Sequence, residues 1–168
     1  MLLIVGITLG GYGIFTVIMG TPSPLVVVTS DSMSDTLERG HLLVLQSRAA
    51  DDIHVGDIIV YNADWHTEAP VVHRVIQIDY VDGEYRYYTK GDNNPQPDPY
   101  YRLYEDIVGV VVYAIPWIGN ITLFLQQPGV LPVVALFLII LIIAPEFLSK
   151  EEDEEQNTKS GDAGTQTD

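Results

Sequence analysis

The sequence predicts a mainly β fold, a compact antiparallel domain flanked by an N-terminal and a C-terminal transmembrane helix. Three observations predict it. Charge is segregated: Met1 to Ser30 and Ile107 to Pro145 carry no charged side chain, although the whole chain has a formal charge of −15. The middle of the chain holds six short runs rich in β-branched residues. Turn signals separate those runs.

The first apolar stretch, Leu2 to Met19, has roughly the 18–20 residues that span a ~30 Å hydrocarbon core. A cleaved secretory signal needs a basic start and a small-x-small exit. This span has neither, so a retained anchor over residues 1–20 is expected. The second stretch, Val130 to Ala144 with Phe147 and Leu148 beyond, is entered through Pro128, Gly129 and Pro132, and reads as a helix within 128–148. Two spans leave both termini on one side of the membrane and the middle zone on the other. Lys150 beside the second span favours a cytoplasmic tail. Residues 149–168 are acidic and too polar to bury a core, so a disordered tail is expected.

Residues 21–127 form the expected β domain, with 15 acids against 6 bases. Its strands are predicted at Leu25–Thr29, Leu42–Gln46, Ile58–Asn62, Val71–Asp79, Tyr85–Thr89 and Ile107–Tyr113. Asp82-Gly83 is a hairpin signal between the fourth and fifth. A chain of 168 residues allows one domain of ordinary size beside its membrane segments. The absence of Cys excludes disulfides, Cys-ligated metals and thiol nucleophiles, and the acidic balance argues against nucleic acid as a partner. Neither a metal nor another cofactor is expected.

A Ser nucleophile needs a base, usually His or Lys. His41, His54 and His66 read as surface residues, His66 in a polar loop. His73 interrupts the apolar run Ala69-Pro70-Val71-Val72-His73-Arg74-Val75 and shares a strand face with Val71 and Val75. Taken alone, such a His is more often a half-buried strand residue than a base. Ser32 follows an apolar strand in a Ser-rich turn, which suits either a presented hydroxyl or a simple turn cap. Asp92 and Asp98, in the run Thr89 to Asp98, are candidates to hold an imidazole or to pin an Asx turn.

In this order the blocks resemble type I signal peptidases, the archaeal and endoplasmic-reticulum branch more than the bacterial one. The resemblance runs over residues 25–122, through Ser30-Asp31-Ser32-Met33-Ser34-Asp35, Val55-Gly56-Asp57-Ile58-Ile59-Val60-Tyr61, Val72-His73-Arg74 and Thr89-Lys90-Gly91-Asp92-Asn93-Asn94. It implies a β catalytic domain of signal-peptidase type, with Ser32 as nucleophile, His73 as general base and Asp98 as the orienting carboxylate. Asp92 would support the active-site loop and Ser30 would assist the oxyanion. Lys90 is the candidate for a Ser–Lys alternative but lies in the wrong block. Asp31 and Asp35 stand where the family usually has Gly and Pro, and Pro97 where it often has a second Asp. Asp at 31 can keep a positive-φ turn, whereas Asp at 35 removes a rigid element.

The implied function is a membrane-bound serine endopeptidase that removes signal peptides from exported preproteins after small residues of Ala-x-Ala type. The implied location is the plasma membrane, multi-pass, with the catalytic domain extracytoplasmic. Implied partners are signal peptides, the lipid bilayer and the protein translocon. The departures at 31 and 35 keep open a catalytically silent, membrane-tethered β binding module. A related peptidase acting on another membrane precursor is a further alternative.

Overall fold

The structure, a computed structural model, describes residues 2–144. An apolar helix α1 (Leu2–Met19) leads into strands β1 (Leu25–Val27), β2 (Leu42–Gln46), β3 (Ile58–Ala63), β4 (His66–Val81), β5 (Glu84–Lys90) and β6 (Ile107–Ile115). A short helix α2 (Gly119–Leu125) follows, and then α3 (Val130–Ala144). The chain divides into two units, Met1–Leu123 and Phe124–Asp168. The expected acidic tail, with Phe147 and Leu148, lies outside the described residues.

All six strands join one antiparallel sheet in the order β1-β2-β6-β3-β4-β5. Strand alternation sends neighbouring residues to opposite faces. Ile59, Tyr61 and Ala63 of β3 enter a cluster with Val71, Val75, Tyr87 and Val110. Val60 instead joins Val28, Met33, Leu37, Leu43 and Leu45 on the other face. Both faces are therefore covered, which explains why β3 reads as a nearly continuous apolar run.

The hairpin predicted at Asp82-Gly83 is present, with φ of 55° and 88° at the two residues. Both central positions are left-handed, as a two-residue type I′ turn requires. β4 starts earlier than the sequence suggested: His66 is not in a loop but pairs with Ala63 across a tight turn. Pro70 interrupts the alternation there, and the ladder absorbs it as a register shift between Tyr61 and Ala63. β1 is shorter than predicted and ends at Val27, although the Val28 N–H still donates to the His41 carbonyl at 3.0 Å.

α1 occupies the predicted stretch and exposes apolar side chains all round, among them Ile4 at 70% and Val17 at 80%. A helix with no charged side chain, its Thr8 and Thr16 hydroxyls bonded to its own backbone, suits lipid. No single helix among the described residues is long and apolar enough to cross a membrane alone; Gly119–Leu125 and Val130–Ala144 reach that requirement only as a broken pair. Of the C-terminal span expected over 128–148, residues 130–144 are one helix, and residues 145–148 lie outside the described residues.

The segment after β6 closes tightly on the turn before β2. A Cβ built on Gly119 would lie 2.7 Å from the Gly40 carbonyl oxygen and 2.7 Å from Val27 Cγ1. Gly119→Ala therefore forces backbone apart and should cost about 1–3 kcal/mol, read as a lowered melting temperature; an unchanged melt would contradict this packing.

Candidate active site

Three polar side chains from distant parts of the chain meet at the middle of β4, beside the start of β3 and the end of β5. His73 sits on the buried face between Val71 and Val75, and both it and the Asp98 side chain are only 4% exposed. Its Nδ1 donates to Asp98 Oδ2 at 2.6 Å. That bond fixes the proton on Nδ1 and leaves Nε2 as the acceptor facing Ser32 Oγ at 3.1 Å. Ser30 Oγ lies 3.2 Å from Ser32 Oγ. Ser30, Ser32, His73 and Asp98 thus form one continuous hydrogen-bonded chain.

Asp98 is held more firmly than sequence reasoning anticipated. The Thr89 hydroxyl donates to Oδ2 at 2.6 Å and the Tyr61 phenol at 2.8 Å. Burial pushes the Asp98 carboxyl up, but the hydrogen bonds from His73, Thr89 and Tyr61 outweigh it and hold the group below its ordinary value. Burial, the largest influence, raises the Tyr61 phenol well above its usual range, so it remains a donor. Tyr61 and Thr89 were missed as site residues. The available signal was strand alternation, which sends Tyr61 with Ile59, and Thr89 with Tyr87, toward the His73 face.

Loop packing positions Ser32. The neighbouring Met33 is 1% exposed and plugged into the core, so its side chain anchors the turn. The Ser32 carbonyl accepts the Asn93 N–H at 2.9 Å, and Asn93 Nδ2 donates to the Asp31 carbonyl at 3.1 Å. Gly91 makes this approach feasible, because a Cβ there would sit 2.6 Å from the Ser32 carbonyl oxygen. Asp92 does not touch Ser32 or His73 by a hydrogen bond. It forms a two-pronged pair with Arg74, Nε to Oδ1 at 2.9 Å and Nη2 to Oδ2 at 2.6 Å. Arg74 also donates to the Gly56 carbonyl at 2.8 Å. The pair ties the 91–94 loop to β4 beside His73.

The departures at 31 and 35 exchange roles. Asp31 is not among the positive-φ residues, whereas Asp35 has φ of 84°. Proline, locked near −65°, cannot adopt that conformation. Asp at 35 therefore belongs to a differently turned loop rather than to a weakened proline turn. Lys90 pairs in register with Arg74, on the face opposite Thr89, which sets it apart from the Ser32–His73 contact. His54 and His66 are exposed, but His41, expected on the surface, is half-buried with its Nδ1 unpartnered. No group of His, Asp and Glu among the described residues could hold a metal ion.

Comparisons with known proteins agree on one family. A family model described as signal peptidase, peptidase S26, matches residues 1–79, a range that includes Ser30, Ser32 and His73 but stops short of Asp92 and Asp98. The chain is similar to the signal peptidase complex catalytic subunit SEC11 of Chaetomium globosum, 37% identical over 138 residues, covering 76% of this chain and 78% of that relative. It is also similar to the sec11 subunit of Pyrenophora tritici-repentis, 40% identical over 122 residues and 67% and 69% of the two chains. The SEC11 subunit of Yarrowia lipolytica is 37% identical over 120 residues, again 67% and 69%. These relatives are fungal, and they lend no support to the archaeal half of the resemblance.

Hydrogen bonds from Arg74 are the main reason that Asp92 ionises below its ordinary value. The stability from this pair is then fully present above the ordinary aspartate value of about 3.9 and is lost as pH falls through the lower folded-state value. Asp92→Asn should be less stable than the parent by about 1–2 kcal/mol at pH 7, with the gap closing in acid. Melts recorded from pH 7 to pH 2 check this. Asp35→Pro should destabilise by more than about 1 kcal/mol, measured the same way.

Proposed function

The chain belongs to the signal peptidase family, peptidase S26, whose members are serine endopeptidases that cleave signal peptides, and we propose that Ser32, His73 and Asp98 carry that reaction here. The observation that carries the assignment is the linked pair of contacts, Ser32 Oγ to His73 Nε2 at 3.1 Å and His73 Nδ1 to Asp98 Oδ2 at 2.6 Å. Ser32 Oγ attacks the scissile carbonyl carbon while His73 Nε2 takes its proton. His73 then returns that proton to the leaving amine as the peptide C–N bond breaks. A water attacks the acyl-enzyme, His73 accepts the water's proton, and Ser32 is regenerated as the new carboxylate leaves. Asp98 remains a carboxylate throughout and stabilises the transient imidazolium.

The developing oxyanion needs donors. Among the described residues the Ser32 N–H has no hydrogen-bond acceptor, which leaves it free for this task, and the Ser30 hydroxyl is close enough to assist. The substrate binds as an added strand. Among the described residues β1 pairs only with β2, which leaves its other edge open there. Residues 24 and 28 bond toward β2 through the Pro24 carbonyl and the Val28 N–H. By alternation the N–H and C=O groups of Leu25 and Val27 point to the open side. A peptide pairing there presents alternate side chains to shallow apolar ground, which supports a preference for small residues of Ala-x-Ala type.

Membrane association follows from the substrate. A signal peptide keeps its apolar core in lipid, so its cleavage site emerges near the bilayer surface. Confining the enzyme there raises the effective concentration of both partners. The proposed topology is multi-pass, with the sheet on the side to which preproteins are exported. That side is the outer face of the plasma membrane expected from sequence and equally the lumenal face of an internal membrane. Relatives named as catalytic subunits of a complex support further subunits as partners of this chain, and the translocon remains a proposed neighbour.

A silent binding module is the weaker reading, because its motive was the pair of departures at 31 and 35, and Ser32 still meets His73 despite them. Purified protein in lipid, given a preprotein with an Ala-x-Ala site, distinguishes the two. Ser32→Ala and His73→Ala should each lower kcat by about a thousandfold or more while the fold persists. Lys90→Ala should retain most activity. Normal cleavage by either of the first two variants overturns the assignment.

A further inference from the structure

A buried cation lies close to Asp98 and takes no part in the contacts described above. Arg102 is only 6% exposed, and among the described residues it forms no ion pair. An arginine keeps its charge even when buried, so burial without compensation is costly. The guanidinium carbon of Arg102 sits 5.2 Å from the centre of the Tyr61 ring. The phenol of that same ring donates to Asp98 Oδ2 at 2.8 Å. Asp98 and Arg102 act on the phenol with opposite signs, so cation and carboxylate are joined through one aromatic ring.

The backbone of Arg102 exchanges two hydrogen bonds with Tyr87 of β5, at 2.7 Å and 2.9 Å. Tyr87 stands two residues before Thr89, whose hydroxyl donates to Asp98 Oδ2 at 2.6 Å and lies 3.3 Å from the phenol oxygen. The Arg102 side chain donates to the carbonyls of Pro99 and Tyr100, the two residues after Asp98. Tyr100 has a left-handed backbone, with φ of 67°, which a non-glycine residue adopts at a cost. Arg102 thus holds the strained turn that follows Asp98 as well as the ring that donates to it.

We propose that Tyr61, Thr89 and Arg102 are positioning residues that set the lower pH limit of cleavage by keeping negative charge on Asp98. The inference rests on the reading of Ser32, His73 and Asp98 as the cleavage centre. With a neutral imidazole the Asp98–His73 pair carries one net negative charge; with an imidazolium it carries none. Donors aimed at Asp98 stabilise the net-negative form, in which Nε2 is free to take the Ser32 proton. A nearby cation makes a phenol a stronger donor, so Arg102 acts in the same direction through Tyr61. Loss of any of the three lets the pair take up a proton at higher pH. Other charged groups on the elements around His73 are Asp31 beside Ser32, Lys90 on the opposite face of β5 and the Arg74–Asp92 pair. All of them stay in place in the variants below.

The test follows kcat/KM against pH for the full-length protein in lipid, on a preprotein with an Ala-x-Ala site. The position of the acid limb is the readout, because a smaller folded fraction lowers the plateau without moving the limb. Tyr61→Phe keeps the ring and Thr89→Val keeps the shape. Each should move the limb up by about half to one pH unit, the worth of one net hydrogen bond. Thr89→Ser should return the parent limb. Arg102→Met should move the limb up by about half a pH unit, and Arg102→Lys, which keeps the charge, should move it back. In a Tyr61→Phe background Arg102→Met should add little, because its effect passes through the phenol. The proposal is overturned by a limb unmoved in both Tyr61→Phe and Thr89→Val, or by a full further shift from Arg102→Met in the Phe background. Cleavage that survives Ser32→Ala or His73→Ala would instead overturn the underlying assignment, so the two failures are distinguishable.

Discussion

A carboxylate removed from water is expensive unless hydrogen-bond donors replace the water, and Asp98 is the place where this chain meets that cost, at its Oδ2. Its side chain is almost fully buried. Three donors from three different strands converge on it: the imidazole of β4, the hydroxyl of Thr89 on β5 and the phenol of Tyr61 on β3. The cluster therefore forms only when β3, β4 and β5 are in register. Once formed, it leaves the imidazole a single useful orientation, with Nε2 toward Ser32. A partly satisfied version would be worse than an apolar core, so the sheet and the relay stand or fall together.

Ser32 is supplied from outside that register, on a loop, and a loop must be pinned to be precise. Two kinds of anchor do this. Met33 is sunk in the core directly beside the serine, and the 91–94 loop clasps the serine backbone through the Asn93 N–H. The Arg74–Asp92 pair then fixes that second loop to the strand that carries His73. His73 and Ser32 are thus tied to the same strand by two routes, one through Asp98 and one through Asp92. The left-handed backbone at Asp35 shows how the loop reaches the same place without a proline.

β1 runs from the end of α1 toward the turn that carries Ser32, which gives its open edge a direction. A peptide that follows that edge travels from lipid toward Ser32.

Sequence by itself determined the apolar helix, the six strands and the Asp82-Gly83 turn, because charge segregation, β-branching and turn chemistry are local properties. It also singled out His73, since an imidazole among Val71, Val72 and Val75 breaks a local pattern, and the ordered blocks made Ser32 and Asp98 its expected companions. Only the tertiary structure decided the contacts between residues far apart in the chain. Tyr61 and Thr89 look like ordinary strand residues until β3 and β5 flank β4 and their hydroxyls reach one buried oxygen. Asp35 looked like a lost proline until its φ was seen to exclude one. The early start of β4 escaped because Pro70 masks its period, and a register shift absorbs the proline only where two strands already pair. Hydrogen bonds between distant strands depend on how the sheet closes, and no local pattern encodes that closure.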